Sequence, residues 1–534
     1  MKKIVSSKKG NEKKAWLVGG GIASLASAAY LIRDGHMSGK NIHIFEESDK
    51  QGGALDAQNS PEKGYVMRGG RMLEEHYGCT YDLLSFIPSL DDPGKSVTDE
   101  ITIFNKKIKT YAEARLVRDG KKLDMKSLGF SEEDRVDFIK LIATQEDALG
   151  TERINEWFKP AFFKTNFWFF YCTTFAFEPW HSLVEFRRYL LRFIHLFPGD
   201  GLRHLTGIWR TPKNQYESIV LPLVAWLKKK GVVFEMGSRV AGLDFKSRKT
   251  GKRVIGIHYL RDGKQEKVTL GRNDFVFVTN GSMTADSTYG SMISAPVLQE
   301  KKTDGAWKLW ESIAKESSEF GRPEVFDTHI AESKWESFSL TFKSPLFFDL
   351  MEKFTSNEAG TGGLVTFTDS NWLMSIVLAH QPHFNHQPKG IFVGWAYGLF
   401  PDKIGNYVKK KMSDCTGEEF LIELCHHLNF DRDIPEIVKS AIIIPCMMPY
   451  ITSQFLVRAK GDRPLVVPKN SENLAFIGQY AEVPDDCVFT VEYSVRTAQT
   501  AVYSLLHLDK NPTPIYKGQY DIKVLFDSFK TMHE

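Results

Sequence analysis

The chain has 534 residues, 42% hydrophobic and 25% charged, the balance of a folded protein with about three or four packed units. Lys plus Arg number 69 against 66 for Asp plus Glu, a net charge of +3, which excludes a strongly basic nucleic-acid binder and an acidic tail protein. Aromatic residues stand at 13%, with 38 Phe and 11 Trp, enough to line a long apolar pocket.

Residues 1–14 hold six lysines and are expected to form a flexible basic tail that can also adsorb to anionic membranes. No apolar stretch of signal length follows them, so a cytoplasmic location is expected, peripheral at the membrane if the tail adsorbs. Ala15-Trp-Leu-Val18 is an apolar run ending in Gly19-Gly-Gly21; residues 22–32 read as a helix; Ile42-His-Ile-Phe45 is a second apolar run ending in Glu46-Glu47. Strand, glycine turn, helix, strand and acid is the order of a dinucleotide-binding unit. Its glycines let the backbone reach a pyrophosphate at a helix N-terminus, whose free N–H groups favour anions. Gly19, Gly21, Ala23 and Ser24 are therefore cofactor candidates, Ser24 standing where the fingerprint has its third glycine. Glu46, with Glu47 beside it, is the acid expected to accept from ribose hydroxyls.

Gln51-Gly-Gly-Ala-Leu-Asp56 brings the chain back past the cofactor, in a pattern typical of FAD enzymes, and adds Gly53 and Ala54. Phe275-Val-Phe-Val-Thr-Asn-Gly-Ser282 is a third strand, with Asn280 and Ser282 at its end. Asn473-Leu-Ala-Phe-Ile-Gly-Gln479 runs into Gly478 and is followed by Thr490 and a helix, the late return that closes an FAD site. The six cysteines include no Cys-x-x-Cys, so reduced thiols are expected. No stretch makes a membrane span: Pro445 and Pro449 interrupt residues 441–457, and residues 165–177 fall short of about 20 apolar residues. Those residues 165–177, rich in Phe and Trp, suit a core or an acyl tunnel equally.

Met67-Arg-Gly-Gly-Arg71, Thr173-Thr-Phe-Ala-Phe-Glu-Pro-Trp-His181, Glu185-Phe-Arg-Arg-Tyr189, Arg210-Thr-Pro-Lys-Asn-Gln-Tyr216, Pro449-Tyr-Ile-Thr-Ser453 and Phe489-Thr-Val-Glu-Tyr-Ser-Val-Arg496 carry a resemblance. Together they are similar to the FAD-dependent oleate hydratases, formerly the myosin-cross-reactive antigens, over nearly the whole chain. The resemblance implies addition of water across the cis-9 double bond of oleate or palmitoleate, giving a 10-hydroxy fatty acid. It implies FAD that binds weakly, is not consumed and supports activity best when reduced. It sets Arg71 and Met72 against the cofactor, Tyr189 as proton donor, and Gln215 and His383 at the fatty-acid head group. Alkene hydration needs an acid, a positioned water and stabilisation of positive charge in a water-poor pocket. A phenol of pKa about 10 depends on its surroundings for that role.

The departures carry information too. Most of the family has a water-activating glutamate where this chain has Met72, whose thioether accepts no proton. The chain resembles the Met-Leu-Glu branch, and Glu74 is the candidate substitute; the alternative is that Glu74 and Glu75 are solvated or pair with a nearby Arg, and His76 suits packing or function equally. The family's Thr-x-Asn-x-x-x-His head-group pattern appears here as Val377, Ala379 and His383. Each lost hydrogen bond to a carboxylate costs about 1.5–3 kcal/mol if nothing replaces it. His380 is the candidate to take over as a cationic donor; a different head group or chain length is the alternative. His380-Gln-Pro-His383 has no supporting Cys or acid at ligand spacing, so no metal site is expected.

The expected fold is α/β: a two-dinucleotide-binding, Rossmann-like FAD domain, discontinuous over residues 15–110, 217–300 and 440–505. Into it are inserted a mainly helical substrate cap at 111–216 and a mixed α+β substrate-binding domain at 301–439. A helical tail, 506–534, packs on the body or rests on lipid through Ile522, Val524, Leu525, Phe526 and Phe529. An unsaturated fatty acid is the expected partner, with no nucleic acid, and the chain is expected as a monomer or homodimer. Two alternatives stay open: a double-bond isomerase or redox flavoenzyme using the same pocket, and a non-catalytic lipid-binding flavoprotein.

Overall fold

The computed structural model describes residues 13–58, 60–249 and 251–533; the lysine-rich stretch 1–12 lies outside them. Ala15–Val18 is buried along its whole length, as an uninterrupted apolar run must be when helices cover both faces of a parallel sheet. It is the middle of a 5-stranded sheet in the order Leu474–Ile477, Phe275–Thr279, Ala15–Val18, Ile42–Phe45, Val233–Glu235. All neighbours run parallel. The start, middle and end of the chain thus meet in one sheet. The order reverses beside Ala15–Val18, the place where open α/β sheets bind ligands. The helices Ile22–Arg33 and Val491–Leu505 pack against each other over this sheet.

A second, 8-stranded sheet has the order Thr288–Tyr289, Ala441–Met448, Trp335–Phe342, Phe392–Gly398, Met374–Leu378, Val365–Phe367, Leu116–Arg118, Lys121–Lys122. Ala441–Met448, which the sequence reading placed in the FAD domain, pairs with every residue of Trp335–Phe342. Leu116–Arg118, placed in the helical cap, pairs with Val365–Phe367. Both strands therefore belong to this second sheet.

The alternation of Trp335–Phe342 positions the site. Phe338, Leu340 and Phe342 join the core beneath the sheet, with Phe347 and Phe420. On the other face Ser339 Oγ accepts from the Met67 N–H at 2.8 Å and donates to its carbonyl at 3.0 Å. Thr341 Oγ1 accepts from the Tyr65 N–H at 3.0 Å. Residues 65–67 are thus stitched to the sheet, and Gly69-Gly70 follows over Trp395. A Cβ on Gly70 would come within 2.6 Å of that ring, which explains the glycine.

Asn166–Phe175 and Leu183–Arg192 form an aromatic cap in which Phe162, Phe167, Tyr171, Phe177 and Phe186 are buried. Each such Phe contributes about 1.5–3 kcal/mol of burial. The Phe- and Trp-rich stretch is therefore largely core. Leu183–Arg192 is capped by Ser182 and anchored by Glu185, which accepts from Arg458 Nε and Arg463 Nη1, each at 2.9 Å. The tail helix Ile522–His533 packs through Ser528, Thr531 and Met532 and leaves Ile522, Phe526 and Phe529 exposed. Among the described residues no helix is long and apolar enough to cross a membrane.

Candidate functional site

A cleft of about 970 Å³ opens at the carboxyl ends of the parallel strands. Gly19 (φ +91) has the left-handed backbone that favours glycine, and a Cβ on Gly53 (φ +55) would lie 3.1 Å from Gly21 Cα. Two glycine turns therefore touch, and the Gly52 N–H donates to the Gly20 carbonyl at 2.9 Å. Gly21 caps Ile22–Arg33 without a side-chain hydrogen bond, which leaves the helix's first N–H groups free for a phosphate. Glu46 Oε2 accepts from the Gly20 N–H at 2.6 Å, and Oε1 from Ser48 N and Oγ at 2.8 Å. This cradle, closed to side chains and ending in an acid, fits a dinucleotide.

Gly19, Gly21, Ala23, Glu46, Glu47, Gly53, Ala54, Arg71, Ser282, Gly478 and Thr490 all line the cleft. Glu47 accepts from the Gly305 N–H at 3.0 Å, and burial, then Asp304, raise its carboxyl. Ser24 sits behind the lining, 3.3 Å from Thr279 Oγ1, and Asn280 donates to the Tyr480 carbonyl at 3.2 Å. Met72 lines a neighbouring cavity instead. Arg68, which the sequence reading passed over, donates to Asp56 Oδ1 at 2.6 Å and to the Gly53 carbonyl at 2.7 Å. It staples the second glycine turn to the Arg-Gly-Gly-Arg motif that contains it.

The neighbouring cavity shares Ala54, Leu55, Asp56, Arg68 and Arg71 with the cleft, so ligands in the two would abut. Met72, Val377, Ala379, Phe104 and Trp395 supply much of its apolar wall. Gln215, His380, His383 and Arg210 supply polar groups. Gln215 Nε2 and Oε1, His380 Nδ1, His383 Nδ1 and Arg210 Nε are all buried without a hydrogen-bond partner. Leaving one such group unsatisfied costs about 1–3 kcal/mol, and their convergence points to a polar ligand group. The scaffold behind them is rigid: Asn214 N and Nδ2 donate to the His383 carbonyl at 3.0 and 2.9 Å.

His380 was expected as a cationic donor, and its surroundings within the protein work against the charge. Burial, then Arg210 and Lys107, lower its pKa, and burial, then His380, pull His383 down to about 4. Both shifts favour the neutral imidazole. Burial lowers Arg71 to about 10, with Arg68 adding to the effect; its Nη2 donates to the Ala54 carbonyl at 2.9 Å.

Tyr189 and Glu74 line neither cavity. The Tyr189 hydroxyl donates to the Val488 carbonyl at 2.5 Å, among the rings of Phe175, Phe177 and Phe455 at 5.1, 5.0 and 5.6 Å. Burial pushes the phenol well above its ordinary value, so it stays protonated. Glu74 was expected to stand in for the missing water-activating glutamate. Instead Leu73–Glu74 pairs with Ile208–Trp209, and Glu74 Oε1 accepts from His76 Nδ1 at 2.5 Å and His195 Nε2 at 3.0 Å. Arg192 Nη1 lies 3.7 Å from Oε2. Burial alone would raise this carboxyl, but His195, His76 and Arg192 hold it down at about 2. It is an ionised, committed partner and not a free base. The donor atoms of Glu74, His76 and His195 lie within 4.8 Å of one another, a grouping missed in the sequence because His195 is distant along the chain.

The chain matches the MCRA family over residues 12–503. It is 41% identical over 537 residues to an oleate hydratase of Streptococcus pyogenes serotype M49 (strain NZ131), covering 98% of this chain and 90% of that protein. It is 34% identical over 567 residues to a linoleate hydratase of Lactiplantibacillus plantarum, covering 98% of this chain and 99% of that protein. Cyclohexylamine oxidase from Brevibacterium oxydans IH-35A is similar in structure, with a TM-score of 0.52 at 12% identity, covering 93% of this chain and 99% of that one. An oxidoreductase from Methanosarcina mazei gives 0.50 at 14%, covering 91% and 99%. At such identities the likeness shows the fold alone.

Proposed function

The chain belongs to the MCRA family, and from that premise we propose that it is a fatty acid hydratase. It adds water to the cis-9 double bond of oleate-type acids to give 10-hydroxy acids, with FAD bound but not consumed and most effective when reduced. The observation that carries this reading is the wall shared by a dinucleotide cleft and a largely apolar cavity with unpartnered polar atoms on its polar side. The Gly19-Gly-Gly21 turn, Glu46, Gly53, Gly478 and Thr490 would hold the FAD. When bound and reduced, it supplies an electron-rich ring beside a developing positive charge.

The chain's own residues do the rest. Gln215, His380, His383 and Arg210 hold the head group, while Met72, Val377 and Trp395 exclude water from the acyl chain. Tyr189 is the proton donor to C9 that the resemblance implies; its hydroxyl lines neither cavity and donates to the Val488 carbonyl, so this role requires the phenol to leave that carbonyl and turn into the acyl cavity. Water adds at C10, and its surplus proton returns to the phenolate, so the sum is one water added. Asp56 is the acid among the residues lining the cavity, and it is paired with Arg68. The water is therefore expected to attack late, on a nearly formed cation, with little help from a base. The tail face of Ile522, Phe526 and Phe529, flanked by Lys523 and Lys530, is assigned to a lipid surface from which substrate is drawn.

Anaerobic turnover with the flavin spectrum monitored tests the class of reaction. Many turnovers per flavin with an unchanged reduced spectrum fit hydration. Stoichiometric flavin oxidation or reduction by the lipid would instead favour the redox alternative, and a shifted double bond without added oxygen the isomerase.

A further inference from the structure

We propose that Glu74, His76 and His195 form a binding site for a divalent transition-metal ion of the zinc class. None of the three lines the dinucleotide cleft or the second cavity, so the site is separate from both and stands whether or not the chain is a hydratase.

Two segments far apart in sequence deliver the ligands. Glu74 ends the strand Leu73–Glu74, which is held by its pairing with Ile208–Trp209, and His76 follows two residues on. His195 sits in the single turn Ile194–Leu196 after the helix Leu183–Arg192. The carboxylate is oriented through one oxygen: Glu74 Oε2 accepts from the His76 N–H at 2.9 Å. Oε1 is left to face both rings, with His76 Nδ1 at 2.5 Å and His195 Nε2 at 3.0 Å. The rings are set in place by aromatic packing. Tyr516 stacks on His76 at 3.9 Å and meets His195 edge-on at 5.0 Å, and the two imidazoles meet edge-on at 4.8 Å. His195 Nδ1 is buried without a hydrogen-bond partner, so what orients this ring is the group its Nε2 faces.

Two imidazole nitrogens and one carboxylate oxygen are a donor set for zinc, cobalt or nickel; calcium and magnesium prefer oxygen alone. Bonds of about 2.0–2.1 Å to a tetrahedral ion put neighbouring donor atoms about 3.3 Å apart. The two carboxylate–imidazole pairs would therefore open by less than about 1 Å, and all three donor atoms already lie within 4.8 Å of one another. Three protein ligands leave a fourth position for water. The His76 side chain, 30% exposed, gives the ion a way in. Arg192 Nη1 lies 3.7 Å from the other carboxylate oxygen, Oε2, and Asp486 stands 3.8 Å from Arg192 Nε. The arginine's charge is thus met by an anion besides Glu74. An ion held here would tie the helix that carries Tyr189 to the segment that follows Arg71 and Met72.

The test uses the full chain, stripped of metal with a chelator and loaded with FAD, beside its Glu74→Gln, His76→Gln and His195→Gln variants. Zinc and calcium binding are measured by calorimetry. One zinc ion per chain and no calcium is the expected result. Each variant should lose more than the roughly 10–100-fold in zinc affinity that removal of a mere supporting residue costs. Zinc should also raise the melting temperature of the wild-type chain but not of His195→Gln. Absence of zinc binding would overturn the proposal. So would zinc binding that is unchanged in His76→Gln and His195→Gln, which would mark an adventitious ion on other side chains. Calcium bound as tightly as zinc would overturn the assigned class of ion. Should Glu74→Gln fail to fold, the partly exposed His76 carries the same test through His76→Gln.

Discussion

At the scale of single residues, Tyr189 and Glu74 show what burial does to an acid. Tyr189 keeps its proton because its hydroxyl is buried and bonded to the Val488 carbonyl. Tyr189→Phe removes that proton at a cost of about 1 kcal/mol in stability, and turnover is expected to fall by about 10²–10⁴-fold. A variant that melts normally and hydrates at the wild-type rate would remove the phenol from the mechanism. Glu74 is held at about 2 by His195, His76 and Arg192 against the effect of burial. A carboxyl depressed on folding stabilises above its unfolded pKa, and this stability is lost as pH falls from about 5 toward 2. Glu74→Ala should cost about 3–5 kcal/mol at neutral pH and flatten this acid limb in denaturation curves. The same limb in the variant would contradict the assignment. Gln215 and His383 were legible because their local motifs name them, and the structure brings both to one cavity. Arg210 stood in a quoted motif too. Its place in that cavity was hidden because Asn105, which holds its main chain, lies far away in sequence.

At the scale of elements, the opening strand–glycine–helix–strand unit was readable because its order and its turn chemistry are local. The mixed sheet was not. Ala441–Met448 pairs with Trp335–Phe342, and Leu116–Arg118 with Val365–Phe367, across separations that no periodicity spans. Trp335–Phe342 puts apolar side chains into the core and hydroxyls against residues 65–67. Ser339→Ala strands the Met67 N–H and carbonyl, an expected loss of about 1–3 kcal/mol. It should also weaken FAD and oleate binding together, because Arg68 and Arg71 ride on that segment. Unchanged ligand affinities would show that the glycine-rich segment holds its place without the sheet.

At the scale of the whole molecule, one sheet gathers the beginning, middle and end of the chain into the dinucleotide cleft. The other sheet carries the second cavity against it. The tail helix adds an outward apolar face of Ile522, Phe526 and Phe529. Phe526→Ser with Phe529→Ser should reduce cosedimentation with anionic vesicles while leaving turnover of detergent-dispersed oleate intact. Equal cosedimentation would take the lipid contact away from this face. The family and the fold were legible because many separate motifs agreed over most of the chain. The grouping of Glu74 with His76 and His195 was not, because folding alone brings it together. Hydration itself is tested most directly by anaerobic incubation of the purified protein with oleate, FAD and dithionite in heavy-oxygen water. Mass spectrometry of the lipid should then find a 10-hydroxy acid carrying one solvent oxygen. Oleate recovered unchanged, while FAD and fatty acid are both bound, would contradict the assignment of this chain as a hydratase.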